Sequence, residues 1–255
     1  MQSADQAAAL TDAQRRAADA GLKAMMPIAG RPFLDFLLSA LADAGLRRVA
    51  IVVAPEHEEL RHYYRTAAPP ARVTIDFVVQ EQPIGTADAV LATEPWTRGE
   101  PFLVMNGDNL YPADVLAQLA ALDGPGLPGF DREALVRTGN IPETRLRAFA
   151  LIEHDDDGYL TRIVEKPDPA EIERAGPGAR VSMNCWRFDA GIFPACRDVP
   201  RSRRGEFELP QAVGLAVERG GRFEVIPVSG GVLDLSERAD AAEVARRLHG
   251  MNPRP

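Results

Sequence analysis

The sequence predicts an α/β fold built on a doubly wound, mixed and mainly parallel sheet. Three observations predict it. Short apolar runs rich in Val, Ile and Phe recur along the chain, segments of helical spacing separate several of them, and the second half carries a hairpin signal. At 255 residues the chain is long enough for one large α/β domain and short for two, so residues 1–255 are read as one domain.

The elements follow in order. Residues 1–21 are expected to form an added helix, because Thr11 and Gln14 stand at capping-box spacing and Gly21 can close the far end. Over 33–44, Leu34, Leu37, Leu38 and Leu41 fall at i, i+3, i+4 and i+7 and make one apolar stripe. Strands are expected at 47–54, 73–79, 101–106, 133–138, 148–153, 159–166, 181–188 and 223–228. Further helices are expected at 56–66, 85–94, 112–122, 207–219 and 237–248. The runs 148–153 and 159–166 flank Asp157-Gly158, an antiparallel hairpin signal that makes the sheet mixed. The acidic run Asp155 to Asp157 is read as a solvated turn and the Gly/Pro stretch 122–130 as a loop.

The bulk composition excludes several function classes. A net charge of −8 argues against a general nucleic-acid surface, which needs many basic groups on phosphates. No apolar run approaches a membrane span, and the N-terminus lacks the basic start and apolar middle of a secretory signal. The protein is therefore expected in the cytoplasm, with no membrane partner. Cys185 and Cys196 and the four scattered histidines have no metal-ligand spacing.

Chemistry is concentrated at a few positions. In open α/β sheets ligands bind beyond the carboxyl ends of strands, and the expected strand at 101–106 runs straight into Gly107-Asp108. Gly107 lets a ligand approach the backbone, and the Asp108 carboxylate suits a hard cation such as Mg²⁺. Of the 29 basic side chains only Lys23 and Lys166 are lysines. A chain that otherwise uses arginine has placed a compact ammonium at these two positions, a shape suited to phosphate as a point charge. Lys166 follows Glu165 and precedes Pro167.

Seven segments in order, "LKAMMPIAGRPFLDFLLSALADAG", "QEQPIGTADAVL", "FLVMNGD", "IVEKP", "MNCWRFDAGIF", "RGEFELPQAV" and "GGVLDLSERAD", resemble the nucleotidyl transferase family, in particular its sugar-1-phosphate nucleotidylyltransferases. They cover residues 22–240. The resemblance implies a Rossmann-like nucleotidyltransferase fold of the GT-A type and transfer of NMP from an NTP to a sugar 1-phosphate, giving NDP-sugar and pyrophosphate. It further implies that Gln80, Gly85, Thr86 and Gly107 meet the nucleotide, that Asp108 and Asp234 hold Mg²⁺, and that Lys23 faces the nucleotide phosphates. Glu165, Lys166 and Asn184 would meet the sugar phosphate. The attacking phosphate oxygen is already ionised, so positioning and charge neutralisation suffice and no general base is needed.

The match departs from the family at Leu22, Ala150, Val232 and Glu237-Arg238, which obscures the sugar's identity. A larger departure is that the family's opening strand and GxGTR-type loop have no counterpart. Both are expected to be encoded before Met1, and without them the chain is expected to be poorly stable and nearly inactive. A second reading follows from that gap, a silent domain that senses nucleotide or sugar phosphate. A glycosyltransferase would call for Asp-x-Asp where this chain has "NGDN".

Overall fold

The computed structural model describes Gln14 and residues 22–176, 178–237 and 239–255. The helix expected over 1–21 therefore lies outside the described residues, apart from Gln14, whose amide donates to the Pro27 carbonyl at 3.0 Å.

Strands β1 (Pro27–Ile28) and β2 (Arg31–Pro32) form a small antiparallel hairpin, and β3 (Arg48–Val53) and β4 (Thr74–Val79) a parallel pair. The principal sheet uses β5 (Phe102–Met105), β7 (Gly126–Phe130), β8 (Ala150–His154), β9 (Leu160–Val164), β10 (Arg180–Ser182), β11 (Cys185–Phe188) and β12 (Glu224–Val228). Its order is β5-β11-β7-β10-β8-β9, with β12 beside β7. Two short strands, β6 (Asn109–Leu110) and β13 (Leu233–Asp234), pair antiparallel. The sheet is mixed, as expected, with a smaller parallel share: among the described strands β3–β4 and β7–β12 run parallel and the other pairs antiparallel.

Helices cover both faces. On one side Phe33–Asp43 and Ala113–Ala120 pack their apolar stripes, including the expected Leu34, Leu37, Leu38 and Leu41. On the other, Thr86–Ala92, Ile192–Asp198 and Leu209–Glu218 enclose Trp186 and Phe188. Strand β11 shows the division residue by residue. Cys185 enters the first core and its neighbour Trp186 the second, as the two-residue period of a strand requires. No described helix is long and apolar enough to cross a membrane.

Three expectations are corrected. The stretch 122–130 is not simply a loop: Gly126–Phe130 is the fully buried strand β7, paired with β10, β11 and β12. Its glycines answer to packing, since a Cβ on Gly126 would meet the Glu224 carbonyl at 2.6 Å and one on Gly129 the Val225 side chain at 2.7 Å. Residues 133–138 are helical, not a strand. Asp131 caps the helix Arg132–Thr138 by accepting from the Ala134 amide at 2.8 Å, and Ala134 and Leu135 are buried. The run 181–188 is two strands, broken where Asn184 turns to φ +55°.

The β3–β4 pair stands apart from the principal sheet, and a cavity of about 390 Å³ lies between β3 and β5.

Candidate active site

Three of the proposed site residues follow the carboxyl ends of strands, Gln80 after β4, Asp108 after β5 and Glu165 after β9, where an open α/β sheet leaves strand ends free for ligands. Asp108 follows β5 through Asn106-Gly107, and Asp234 lies on β13. The register Asp234↔Asn109 and a 2.8 Å bond from the Leu235 amide to the Asp108 carbonyl bring the two acids together. Lys23, on a 3₁₀ turn over Lys23–Met25, donates its Nζ to the Ser236 carbonyl. Burial pushes the Asp108 carboxyl up, the neighbouring Asp234 charge pushes the same way, and Lys23 pulls it down. Lys23, Asp108 and Asp234 thus form one electrostatic cluster.

Asp234 is fully buried, and each of its carboxylate oxygens accepts two hydrogen bonds. Its Oδ1 accepts from the Ser236 amide at 2.8 Å and from Arg145 at 3.0 Å. Its Oδ2 accepts from the Ser236 hydroxyl at 2.9 Å and from Asn109 Nδ2 at 3.0 Å. The Asn140 side chain holds the Asp234 backbone at both its N–H and its C=O, at 2.7 and 2.8 Å. Arg145 also forks onto both oxygens of Asp240 at 2.8 and 3.0 Å. Arg145, Asn140 and Asn109 carried no signal in the sequence as partners of Asp234, because they lie far from it along the chain; Ser236 is two residues on and was not singled out.

Gln80 follows β4, and its side-chain amide donates to the Gly85 carbonyl at 3.0 Å and to Asp88 at 2.8 Å. Gly85 precedes the helix Thr86–Ala92, so Thr86 does open a helix. What comes close to Gly85 is the Phe207 backbone. At φ +133°, a Cβ there would lie 2.3 Å from the Phe207 oxygen. The two segments are clasped by Phe207 N–H to Ile84 O and Ala87 N–H to Phe207 O, both 2.8 Å, and by the Leu209 amide to the Thr86 hydroxyl at 2.9 Å.

Glu165 and Lys166 follow β9. Burial raises the Glu165 carboxyl, Lys166 lowers it, Glu208 raises it and Arg204 lowers it. The segment that clasps Gly85 therefore also brings Glu208 to Glu165. Among the described residues, Lys166 and Asn184 are two of the four non-glycine residues at positive φ, +49° and +55°, a strained backbone that concentrates at functional positions. Lys166 is exposed and Asn184 half-buried. The described contacts thus make two groups, one of Lys23, Asp108 and Asp234, the other of Gln80, Gly85, Thr86 and Glu165. Among the described residues no cluster of three or more His, Cys, Asp and Glu side chains with metal-binding geometry is present.

A mixed sheet with helices on both faces, with Asp108 just past the end of β5 and Glu165-Lys166 just past the end of β9, defines an α/β protein. The family model "Nucleotidyl transferase" matches residues 19–231, and the chain belongs to that family. It is 27% identical over 230 residues to the UTP--glucose-1-phosphate uridylyltransferase AglF of Haloferax volcanii, covering 89% of this chain and 87% of that protein. It is 26% identical over 243 residues to a glucose-1-phosphate thymidylyltransferase of Streptomyces antibioticus, covering 91% and 62%. The bifunctional protein GlmU of Methanococcus vannielii is 29% identical over 77% of this chain, which spans only 42% of that protein. The fold matches the crystal structure of a UDP-glucose pyrophosphorylase complexed with UDP-glucose at a TM-score of 0.73 and 19% identity, over 90% of this chain and 91% of that one. A purely sensing role finds no support among these relatives.

Proposed function

We propose that this chain transfers a nucleoside monophosphate from an NTP to a sugar 1-phosphate, releasing pyrophosphate. The observation that carries the reading is the convergence of Lys23, Asp108 and Asp234 at one strand end. The relatives named for glucose-1-phosphate transfer support the acceptor class. In this reading Lys23 neutralises the nucleotide phosphates, and Gln80, with Gly85, Thr86 and Gly107, meets the nucleotide. The Gln80 amide N–H₂ is engaged with Gly85 and Asp88, leaving its oxygen to accept from a base. Glu165, Lys166 and Asn184 meet the sugar phosphate, Lys166 as a point charge held on a fixed left-handed backbone.

The residues fit a divalent cation, Mg²⁺ by preference. Asp108 and Asp234 are hard oxygen donors whose negative charges repel each other, a repulsion that a cation relieves. Asp108 would hold it directly, whereas Asp234 reaches it only as Arg145 or Ser236 releases an oxygen. When bound, the ion supplies charge neutralisation on the phosphates. The chain's own residues then do the rest: they position donor and acceptor in line and exclude water, with no group required to remove a proton.

The test is pyrophosphate release from each of the four NTPs with a panel of sugar 1-phosphates and Mg²⁺, on this chain and on a form extended upstream. At least one pair should turn over. A folded, extended protein that releases pyrophosphate from none of them would refute the reading.

A further inference from the structure

Arg145 stands among three carboxylates of one segment, 234–240, and reaches them from a separate element, the 3₁₀ turn Glu143–Ala148. Its bonds are shared unequally. Nη2 donates once to Asp234 Oδ1, at 3.0 Å, whereas Nη1 donates to both oxygens of Asp240, at 2.8 and 3.0 Å, and lies 3.5 Å from Glu237. A guanidinium that released Asp234 would therefore lose one charge-assisted bond and still be neutralised by two acids. The buried Nε has no partner among the described residues, so no bond on the stem side opposes such a swing. The other donors to Asp234 are placed differently. Asn109 is fixed opposite Asp234 by the β6–β13 register, the Ser236 amide belongs to the same turn, and the Ser236 hydroxyl is uncharged. Of the four donors only Arg145 carries a charge that a cation would repel and has a second anion to receive it. The exchange would take place out of water, because the Arg145 side chain is 13% exposed and that of Asp234 1%, and there such charges interact strongly.

From this geometry we infer that Arg145 is a positioning residue that competes with a divalent cation for Asp234. It neutralises Asp234 while the cation is absent, and it yields Oδ1 by withdrawing onto Asp240 and Glu237 when a cation arrives. The inference rests on the reading of Asp234 as a cation ligand and deepens it, since it names the residue that sets how tightly the ion is held. The Ser236 amide stays on Oδ1 throughout and keeps the carboxylate aimed, so that one lone pair is exposed without the turn being rebuilt. The competition has a cost in affinity: an ion that must displace a paired guanidinium binds more weakly than one that meets a free carboxylate. Removing the guanidinium should then tighten cation binding, the opposite of what the loss of a purely structural contact would do.

The test titrates Mn²⁺ alone, without nucleotide, into the parent chain and into Arg145→Met, reading bound ion by electron paramagnetic resonance and the midpoint of thermal unfolding on the same samples. Arg145→Met should bind Mn²⁺ at least about tenfold more tightly than the parent. Mn²⁺ should also restore most of the thermal midpoint lost with the guanidinium, and KCl at equal ionic strength should not. Adding Asp234→Asn to Arg145→Met should abolish both gains. Equal or weaker binding in Arg145→Met overturns the inference, and so does a gain that survives Asp234→Asn, because Arg145 would then act only by its charge at a distance. The underlying reading is judged separately, by Asp234→Asn in the parent. If that change leaves Mn²⁺ binding untouched, Asp234 is no ligand and the inference falls with it; if it weakens binding while Arg145→Met changes nothing, the inference alone falls. Should Arg145→Met fail to fold, the parent decides. The Arg145 guanidinium ¹⁵N–¹H signals, assigned by their absence in Arg145→Lys, should shift as Mg²⁺ is added and stay in place in Asp234→Asn. Signals that do not move as the parent takes up the ion overturn the inference.

Discussion

Asp108 is a residue at which stability and chemistry pull in opposite directions. Burial and the Asp234 charge raise its carboxyl above the ordinary range, so the folded state disfavours an anion that the unfolded chain would solvate better. Asp108→Asn is expected to raise the midpoint of thermal unfolding at pH 7 while lowering kcat/KM for pyrophosphate release by about 100-fold, the scale typical of losing one preorganised electrostatic contact. A variant that loses stability and keeps its activity would show that Asp108 is a structural acid. Arg145 poses the opposite case, because one guanidinium satisfies both Asp234 and Asp240. Arg145→Met should lower unfolding free energy in urea by about 3 kcal/mol, since it strands buried carboxylates, and Arg145→Lys should recover part of that. At this scale the sequence singled out residues where a type was scarce, as with the two lysines, or where an expected strand ran into an acid, as with Asp108. It was silent about Arg145 because the chain has many arginines and nothing local distinguishes this one; its role exists only once the loop over 139–149 is folded against Asp234.

Among the elements, the helix start at Gly85-Thr86 and strand β7 show two ways in which glycine is imposed by a neighbour. At Gly85 both the backbone angle and the Phe207 carbonyl exclude a side chain. Gly85→Ala should destabilise the fold by about 2 kcal/mol through strain and a shifted contact, and should weaken nucleotide binding as the Gln80 bond to the Gly85 carbonyl moves. Equilibrium unfolding together with nucleotide titration separates the two effects; a fully stable variant would mean the Phe207 segment yields freely. In β7 the same exclusion misleads a reading by composition. "GLPGF" has the residues of a turn, yet β10, β11 and β12 surround it so closely that glycine is what fits, and burial overrides propensity. The helix Arg132–Thr138 had a legible signal in its cap, Asp131, but "EALVRT" is too short for periodicity alone to separate helix from strand. The helix Phe33–Asp43 and the β8–β9 hairpin were read correctly because each carries a full period and a defined stop.

For the molecule as a whole, the same electrostatics set a pH dependence. Asp108, Glu165 and Asp240 each have burial as the largest influence on the carboxyl, and all three are raised. A raised folded-state value means that the native protein binds more protons than the unfolded chain between the ordinary carboxylate range and the raised values. Stability must then fall as pH climbs through that window, and above it the whole penalty is present. Glu243, held down to about 2 by Arg246 and Arg247, works in the other direction: its contribution is complete above the ordinary glutamate value and is lost only as pH falls towards 2. It is a surface group, so water and salt screen it heavily. The site carboxylates therefore dominate, and the net charge of −8 adds to the same trend because self-repulsion grows as the remaining acids ionise. The midpoint of thermal unfolding should rise as pH is lowered from neutral towards the ordinary carboxylate range. Two controls assign the cause. The double variant Asp108→Asn, Glu165→Gln should flatten the slope at low and high salt alike, because its groups are shielded from solvent, whereas the part due to net charge should shrink with added salt in every form. A slope that vanishes with salt in the parent chain would place the pH dependence on the surface and remove the site acids from it.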